Sequence, residues 1–382
     1  MVRLPHPPRV VTGLDRRFTT PARSTRLSAN LGLCLGVAFL VCLATGLLSH
    51  AIQHPPSWFH WPARPVQLYR ITQGLHVAAG LACIPLVTAK IWSVYPKLFA
   101  FPPVRGLGHA LDRAAAGLLS AAAVFELVTG LLDIAYWYSL MPFGFVGAHY
   151  WTAWLLAGAL LLHLAAKLPA VRRREPAEVR LTNDWTRRGV LTLAATAAGV
   201  VTVATVGQTV RPLRRISLLS PRVPGVGPQG VPVNKTAAAA RIVRADASFR
   251  LVVTGPAGRH ALSLADLTAL PQATADLPIA CVEGWSSGAR WHGVRMADLL
   301  RLVGADGRDD LRVTVDSLEQ TGPYRFSTLE PAVANDPLTL LALGIGGEPL
   351  HLDHGYPCRL IAPNRPGVLQ TKWVTAVTAA AR

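Results

Sequence analysis

One cysteine in the C-terminal third of the sequence lies where it could react or bind a metal. Cys281 stands in the stretch IACVEGWSSGARWHGV, residues 279–294, between an apolar strand-like run and a turn rich in glycine and tryptophan. A structural cysteine usually lies inside a helix or strand, whereas a thiolate at the start of a polar turn is a soft ligand that suits redox metals. The position of Cys281 therefore favours chemistry over packing.

A second stretch, GEPLHLDHGYPCRLIAPNRPGVLQTKWV, residues 347–374, carries groups that bind anions. It combines glycines and prolines with His354, Arg359, Arg365 and Lys372. Arginine binds phosphate through two parallel hydrogen bonds and lysine acts as a point charge, so this set could clamp a phosphorylated organic cofactor. Taken alone, the stretch leaves a purely structural role open.

Together the two stretches resemble the sulfite oxidase superfamily of molybdenum enzymes. The resemblance covers about residues 248–378, and within the superfamily it is greatest to the branch of the periplasmic methionine sulfoxide reductase catalytic subunit. It rests on CVEGWS, then WHG, then DHGYPCR, and then a proline- and glycine-rich segment that ends in TKW. The fold it implies is an α+β domain that holds one molybdopterin and performs two-electron oxygen-atom transfer.

The resemblance also assigns roles to individual residues. It implies that Cys281 binds molybdenum directly and that Glu283 lies beside the metal. It implies that His354, Arg359 and Lys372 contact the pyranopterin and its phosphate. The methionine sulfoxide reductase branch has further pterin-contacting residues upstream, and none is recognised in residues 208–247. A disulfide between Cys281 and Cys358 is an alternative use of the two cysteines in this part of the chain.

One departure from the superfamily bears on the substrate. Sulfite oxidases place basic residues just after their cysteine to bind sulfite, but this chain has Gly284, Trp285 and Ser286 there. We therefore expect an oxygenated substrate such as a sulfoxide, small or protein-bound, rather than sulfite.

The composition of the remaining sequence indicates a membrane protein. The chain has 382 residues, of which 51% are hydrophobic and 15% charged, and its mean hydropathy is +0.33. Four apolar runs cover residues 28–49, 68–93, 114–140 and 149–169, and a shorter fifth covers 189–207. Each of the first four is long enough to cross the ~30 Å hydrocarbon core as a helix.

The net charge of +17 lies entirely in the first 240 residues, because residues 241–382 hold 14 basic and 14 acidic side chains. The positive residues flank the apolar runs, which favours helix orientation in a membrane over nucleic-acid binding. Seventeen of them fall before run one, between runs two and three, or between runs four and five, whereas the opposite loops hold only Arg64 and Arg70. The N-terminus is therefore predicted in the cytoplasm and residues 208–382 outside it, in a bacterial plasma membrane.

Histidines in the apolar runs point to haem. His76 lies in run two, and His149 and His163 lie 14 residues apart on nearly one face of run four. Intramembrane imidazoles are costly, usually functional, and good axial ligands for haem iron. This half resembles the four-helix membrane cytochrome b family of the formate dehydrogenase and hydrogenase b-type subunits, through these histidines and the TGLL at 129–132.

The cytochrome resemblance implies that His76 and His149 share one outer haem b and that His163 binds a second, inner haem. The family's partner for the inner ligand comes from the start of the first helix, where this chain has no histidine. His109 is the nearest substitute, and the sequence predicts it in a loop. A haem-free bundle with hydrogen-bonded histidines stays open.

Residues 186–201, TRRGVLTLAATAAGVV, resemble a twin-arginine export signal retained as an anchor, although an ordinary helix with basic flanks would read the same. Downstream, PRVPGVGPQGVPVN indicates an extended linker. FRLVVTG and LRVTVDSL predict strands, and LSLADLTAL and GVRMADLLRLVGA predict short helices.

These patterns predict five regions. They are a cytoplasmic tail at 1–27, a cytochrome b-like four-helix domain at 28–170, a basic loop and fifth helix at 171–207, a linker at 208–247, and a molybdopterin oxidoreductase domain at 248–382. The predicted function is oxygen-atom transfer outside the cytoplasm, with electrons exchanged with the quinone pool through haem b. Two alternatives are a molybdenum enzyme with a haem-free membrane anchor and a non-catalytic membrane cytochrome.

Overall fold

The computed structural model describes residues 23–96, 104–172, 187–243 and 248–381. The predicted N-terminal tail and the basic loop before the fifth helix fall almost wholly outside these ranges. The chain divides into two compact units. The first comprises Met1–Ala44 and His76–Ala204, and the second comprises Thr45–Leu75 and Thr205–Arg382.

Five long helices occupy the N-terminal half, as the apolar runs predict. They are α1 (Thr25–Gln53), α2 (Leu68–Val94), α3 (Leu107–Ile134), α4 (Phe145–Arg172) and α5 (Arg187–Val206). All five are long and apolar enough to cross a membrane, judged by length and composition. Large apolar side chains such as Leu33, Leu40 and Leu161 are more than 60% exposed, which suits a helix surface that faces lipid.

In the first unit, small clusters of apolar side chains join the helices. Leu27 and Leu31 of α1 pack against Val190 and Ala194 of α5. Lys90 of α2 donates hydrogen bonds to the carbonyl and hydroxyl oxygens of Ser28, at 2.6 and 2.8 Å. The Lys90 ammonium is therefore satisfied by a neighbouring helix rather than by water.

The third helix begins and ends six to seven residues, nearly two turns, earlier in the sequence than its apolar run. The run covers residues 114–140, but α3 spans Leu107–Ile134. Its end is set by Tyr136, whose φ of 56° is left-handed and cannot continue a right-handed helix. Its early start places His109 in the first turn of α3, so the expectation that His109 lies in a loop is wrong.

The second unit contains two five-stranded sheets and three short helices. The strands are β1 (Leu251–Gly255), β2 (Gly258–Leu262), β3 (Gln272–Ala280), β4 (Ser286–Arg295), β5 (Leu311–Ser317), β6 (Phe326–Leu329), β7 (Leu340–Ile345), β8 (Glu348–Pro349), β9 (Arg359–Ile361) and β10 (Val374–Ala381). The helices are α6 (Leu264–Ala269), α7 (Met296–Arg301) and α8 (Pro331–Ala334). This arrangement confirms the predicted α+β class.

The first sheet has the strand order β2-β1-β10-β5-β6, in which only the β1–β10 pair is parallel. The second has the order β3-β4-β7-β8, and β9 pairs with β7. Strand β7 is buried along its whole length because it packs in the centre of the unit. These sheets bring the end of β3 and the segment around β9, which are far apart in the sequence, into one unit.

Local signals account for several of these elements. Helix α6 begins at a capping box in which Ser263 and Asp266 exchange side-chain and backbone hydrogen bonds. The predicted strands FRLVVTG and LRVTVDSL contain β1 and β5. The stretch GVRMADLLRLVGA, predicted as one helix, instead gives the end of β4 and a helix of six residues, because Gly293 and Val294 pair with β7.

The segment predicted as an extended linker is folded where it is described. It forms short 3₁₀ turns at Gly207–Thr209, Arg211–Ile216 and Pro228–Gly230. Val231 and Ala237 are each only 2% exposed, and Val231 packs with apolar residues of the second sheet. A glycine- and proline-rich sequence is compatible with this irregular but packed path, which composition alone does not distinguish from a flexible one.

The connection between α1 and α2 also belongs to the second unit. Asn364 lies at its centre. The Asn364 carbonyl accepts from Trp61 Nε1, its side-chain oxygen accepts from the Tyr69 amide, and its side-chain nitrogen donates to the Pro62 carbonyl, each at 2.7 Å. Asn364 has a φ of 54°, a conformation that asparagine tolerates better than most residues. Arg64 adds a two-point ion pair with Asp336.

Candidate functional site

Cys281 lies at the end of β3, where a tight turn leads into β4. Its amide donates to the Trp285 carbonyl at 2.8 Å, and its carbonyl accepts from the Gly284 amide at 3.1 Å. Gly284 has a φ of 87°, which a side chain would strain. The thiol is free of any disulfide, and the residue is 5% exposed. The backbone of the turn thus fixes the sulfur at the edge of the second sheet.

Asn234 joins Cys281 to Glu283. Its side-chain nitrogen lies 3.1 Å from the Cys281 sulfur and 2.7 Å from one Glu283 oxygen. The other Glu283 oxygen accepts from Trp285 Nε1 at 3.0 Å. The carboxyl group is nearly fully buried, and both of its oxygens are held. Asn234 belongs to the segment predicted as a linker, so the sequence analysis missed it; the sequence around it, PVNK, carries no signal strong enough to identify it.

Three basic side chains, those of His354, Arg359 and Lys372, lie close together in the C-terminal part of the second unit. The Arg359 guanidinium donates to the carbonyls of His354 and Gln370, both at 3.1 Å, and lies 5.2 Å from the centre of the Trp291 ring. His354 Nε2 lies 2.7 Å from the Pro228 carbonyl. Because a carbonyl can only accept, Nε2 of His354 carries the proton. The sequence predicts these residues as a set, and the fold brings them together.

Lys372 completes the group. Its ammonium donates to the carbonyls of Lys235 at 2.6 Å and of Asp353 at 2.9 Å, and it lies 4.7 Å from the Trp373 ring centre. Gly355 makes this approach feasible: its φ is 105°, and a Cβ there would meet the Cβ atoms of Arg359 and Lys372 at 3.1 Å. The glycine in DHGYP therefore permits close packing between the two cationic residues.

Burial sets the protonation of these groups. It lowers the pKa of Lys372 to about 7, helped by the nearby Arg359 charge. It lowers the pKa of Arg359 to about 9 and that of His354 to about 4. In each case the first cause is desolvation, which disfavours the charged form. A negative group bound among them would raise all three values.

The chemistry of this set fits an anionic cofactor. Among the described residues, neither Arg359 nor Lys372 forms an ion pair with a carboxylate, and the Arg359 Nε is buried without a hydrogen-bond partner. A buried cation whose hydrogen bonds go only to backbone carbonyls is electrostatically incomplete, and for Lys372 the charges of Asp353 and Glu319 offset the cost of burial only in part. A phosphate-bearing pterin would supply the missing charge, and the Cys281 sulfur is a suitable ligand for its metal.

Arg365 is buried but has separate contacts. It donates to the Thr328 carbonyl at 2.9 Å, and its Nε has no hydrogen-bond partner. Burial lowers its pKa to about 10, opposed by the charge of Glu330. No described hydrogen bond links it to His354, Arg359 or Lys372, so the structure does not join it to that set.

In the first unit, the histidines of α2 and α4 face each other. The ring centres of His76 and His149 are 6.4 Å apart, and their planes are 77° apart. His76 Nδ1 lies 2.9 Å from the Cys42 carbonyl. His149 Nδ1 lies 2.8 Å from the Thr129 hydroxyl and 3.1 Å from a Glu126 oxygen. Thr129 is the threonine of the TGLL motif.

This pair suits coordination of one metal from two sides. A metal–imidazole bond is about 2.0 Å, and the ring centre lies ~1.1 Å beyond the nitrogen, so two imidazoles across one metal have centres roughly 6 Å apart. With Nδ1 bonded to a carbonyl or carboxylate, Nε2 would be the atom left to bind a metal on each ring. Two neutral histidines at this spacing could hold a haem between them.

His163 has a different environment. Its Nδ1 is buried and has no hydrogen-bond partner, and no second histidine is recorded in ring contact with it among the described residues. Near the start of α1, where the cytochrome family has its inner ligand, the Ser28 oxygens accept from the Lys90 ammonium. The structure thus brings together two of the three predicted haem histidines.

The cysteine alternative is not realised. Neither Cys281 nor Cys358 forms a disulfide. Cys358 is fully buried, donates to the Val374 carbonyl at 3.4 Å, and has a pKa raised by burial. It is a packing residue, whereas Cys281 is held in a turn beside polar groups.

Comparison with known proteins adds an independent result. Residues 237–382 match the model of the oxidoreductase molybdopterin-binding domain. A putative protein-methionine-sulfoxide reductase subunit, YedZ1 of Azospira oryzae, is 36% identical over 34% of this chain and 48% of its own length. The mitochondrial sulfite oxidase of Drosophila melanogaster is 30% identical over 35% of this chain and 27% of its length.

Each match is partial, and the chain spans about half of the YedZ1 relative and less of the sulfite oxidases. Among solved structures, the sulfane dehydrogenase SoxCD from Paracoccus pantotrophus aligns with 41% of this chain at 19% identity, with a TM-score of 0.35 that is too low to support an argument. The match to the domain model covers Cys281, Glu283, His354, Arg359 and Lys372. The C-terminal part of this chain is therefore an oxidoreductase molybdopterin-binding domain, of the kind shared with the sulfite oxidases, and it follows five membrane-type helices.

Proposed function

We propose that the protein is a membrane-anchored molybdopterin-dependent oxidoreductase that transfers an oxygen atom on the extracytoplasmic side and exchanges electrons with the quinone pool through b-type haem. The observation that carries the proposal is the buried set of His354, Arg359 and Lys372, in which neither cation forms an ion pair with a carboxylate of the described residues. Cys281, which forms no disulfide, belongs to the same unit. A sulfoxide is the proposed substrate class, in keeping with the printed name of the Azospira oryzae relative.

The protein's own groups divide the work. Arg359, Lys372 and the His354 imidazole bind the pterin and its phosphate, and Cys281 ligates the metal. Asn234 holds the Cys281 sulfur and the Glu283 carboxyl in one orientation. Arg365 is proposed as a further cofactor-binding cation, although its own contact, with the Thr328 carbonyl, is separate from theirs. When bound, the molybdenum cofactor supplies two-electron oxygen-atom transfer and the haem supplies one-electron transfer.

In the first unit, His76 and His149 bind one haem b through Nε2. Thr129 and Glu126 accept from His149 Nδ1, and the Cys42 carbonyl accepts from His76 Nδ1, so both rings keep one orientation. His163 is the candidate ligand for a second haem. Quinol oxidation in the membrane would deliver electrons to this site, and the reverse flow uses the same groups.

The proposed topology has support from the fold. The chain lies on the same side of a membrane after one crossing and after five crossings. One compact unit contains Thr45–Leu75, which is the end of the first helix, its connection to the second and the start of the second, together with Thr205–Arg382, which begins at the end of the fifth helix. Together with the basic residues in the opposite loops, this parity favours a cytoplasmic N-terminus and an extracytoplasmic catalytic domain.

A reoxidation experiment tests the function. The full chain, purified in detergent, is reduced with a short-chain quinol without oxygen, and the reduced b-type haem bands are recorded. Addition of a sulfoxide should reoxidise the haem and yield the sulfide. Cys281→Ser should retain quinol reduction but lose the reoxidation, whereas Cys358→Ser, a conservative change at the buried packing cysteine, should behave like the wild type.

The alternatives give different outcomes. Molybdenum and sulfoxide reduction without haem bands would leave the membrane half as an anchor. Haem without molybdenum, in cells that make the cofactor, would contradict the enzyme and leave a membrane cytochrome. Equal reoxidation by wild type and Cys281→Ser would also overturn the proposed site.

A further inference from the structure

A small cavity lies beside Cys281 and is lined in part by residues from the start of α2 and from the 3₁₀ turn after α5. Its walls include Arg70 and Gln73 from the start of α2 and Thr209 from the 3₁₀ turn that follows α5. The turn between β3 and β4 adds Cys281, Trp285 and Ser286. All of these residues belong to the second unit. The space of about 20 Å³ exceeds that of one water molecule but is far too small for a quinone ring.

Two buried polar atoms lining this cavity have no partner. Gln73, 5% exposed, donates through Nε2 to the Val282 carbonyl, which leaves its Oε1 buried and unbonded. Ser286, 4% exposed, has a buried hydroxyl that is also unbonded. Flipping the Gln73 amide would place two oxygens against each other at Val282, so the assignment of Oε1 is secure. Unbonded buried groups cost free energy and therefore indicate a missing ligand or water.

Arg70 supplies the charge. It is half-buried and donates to Gln67 Oε1 at 3.2 Å and to the Thr209 carbonyl at 2.6 Å. Both acceptors are neutral, and no carboxylate forms an ion pair with Arg70 among the described residues. A guanidinium oriented by neutral groups, next to a hydroxyl donor, matches a carboxylate or another small anionic oxygen group.

We propose that Arg70, with the Ser286 hydroxyl, binds an anionic group of the substrate beside Cys281, so that the first residues of a membrane helix help to determine specificity. This inference rests on the proposed function and adds to it the preference for an anionic substrate. It also accounts for the absence of basic residues immediately after Cys281, because the cation is supplied by α2 instead.

A matched pair of sulfoxides provides the test. N-acetylmethionine sulfoxide carries a carboxylate, and its methyl ester differs only by lacking the charge. Binding of each to the full-length holoenzyme is measured by titration calorimetry without reductant, and steady-state reduction is measured separately. The wild type should bind the acid about ten- to a hundredfold more tightly than the ester.

Arg70→Gln should remove that preference, raising Kd and KM for the acid while leaving kcat and the values for the ester within about twofold. Arg64→Gln, an exposed arginine in the same segment, is the control and should retain the preference. Equal binding of acid and ester by the wild type, or an unchanged preference in Arg70→Gln, would overturn the inference. Selective binding of the acid without turnover would instead count against the proposed reaction and leave the anion site supported.

Discussion

Buried ionisable groups occur in both units, but they are prepared for different ligands. In the second unit, Arg359 and Lys372 donate to backbone carbonyls, and neither forms an ion pair with a carboxylate of the described residues. In the first unit, His76 and His149 have their Nδ1 atoms bonded and their rings facing each other. The first arrangement selects a ligand by charge, and the second selects one by the direction of a lone pair.

This difference determines how much bound cofactor each region should lose when one of its residues is substituted. A pair of axial ligands has no redundancy, because removal of one imidazole removes half of the protein's bonds to the metal. A group of cations shares the binding of one anion, so removal of one weakens binding without abolishing it. Substitutions in the two regions should therefore separate haem content from molybdenum content.

The largest effect is expected at the histidine pair. His76→Ala or His149→Ala should each abolish the b-type haem absorbance, measured as the pyridine haemochrome per chain, while molybdenum content stays near that of the wild type. His163→Ala, the matched substitution of the histidine outside the pair, should retain the outer haem. Full haem content in both His76→Ala and His149→Ala would refute the ligand assignment.

Removing one cation from the second unit should have a smaller effect. Arg359→Gln deletes a buried guanidinium that would bind the pterin phosphate, and charge-assisted hydrogen bonds of this kind contribute ~1.5–3 kcal/mol. Cofactor affinity should fall about ten- to a hundredfold, measured as molybdenum per chain at limiting cofactor supply, with unchanged haem. Arg290→Gln, at an exposed arginine paired with Asp276, should have no effect; loss of molybdenum in both variants would indicate general misfolding.

A fully satisfied buried polar residue provides the contrast. The carbonyl oxygen, side-chain oxygen and side-chain nitrogen of Asn364 are each hydrogen-bonded, to Trp61, Tyr69 and Pro62 respectively. Asn364→Ala should destabilise the protein by ~2–3 kcal/mol, since it leaves buried groups unpaired and puts alanine at a φ of 54°. Asn364→Gly should recover roughly 1 kcal/mol of that loss. Thermal midpoints of the two variants in detergent test the order, which would be wrong if glycine were the less stable.

The sequence predicted the ligand residues better than their surroundings. Cys281, His354, Arg359 and Lys372 lie in short motifs with glycine and proline, where residue type itself records the local geometry. The groups that accept their hydrogen bonds leave no such signal in the sequence. His354 and Lys372 bond to the carbonyls of Pro228 and Lys235, and any residue at those positions would offer a backbone carbonyl. For the same reason Asn234, far upstream, was missed.

The helices were predicted from apolar length alone, since in lipid every backbone group must be satisfied within a helix. Their ends were less predictable. The end of α3 depends on the left-handed Tyr136, and the shortening of α7 depends on β4 pairing with β7, which is a tertiary effect. The packing of residues 207–243 escaped prediction because glycine and proline serve both flexible linkers and ordered turns.

Lys372 should make anion binding depend on pH. Burial lowers its pKa to about 7, so its charge is present below pH 7 and is lost above it. The affinity of cofactor-free protein for sulfate, an anion that does not titrate in this range, should be constant below pH 7. It should weaken by up to about tenfold per pH unit above it, or about 1.4 kcal/mol. Lys372→Arg should remove most of this dependence, because the guanidinium keeps its charge to higher pH.

The lowered pKa of Lys372 also affects folding stability, which should rise with pH where anion affinity falls. The unfolded chain, in which a lysine pKa is about 10.4, binds more protons than the folded chain between pH 7 and pH 10. This contribution therefore makes the cofactor-free protein more stable as pH rises through that window. Lys372→Met should flatten the rise in thermal midpoint between pH 7 and pH 9, and an unchanged slope would show that Lys372 is not the titrating group.

The smallest effect is expected at the exposed ion pair between Arg64 and Asp336. Its geometry is favourable, with nitrogen–oxygen distances of 3.0 and 3.1 Å, but the Arg64 side chain is 54% exposed and water screens the attraction. Arg64→Ala should cost less than ~1 kcal/mol, and added salt should reduce the difference further. Arg64 and Asn364 hold the same α1–α2 connection, so their thermal midpoints can be compared directly. If Arg64→Ala cost as much as Asn364→Ala, charge at the surface rather than buried hydrogen bonding would hold this connection in the second unit.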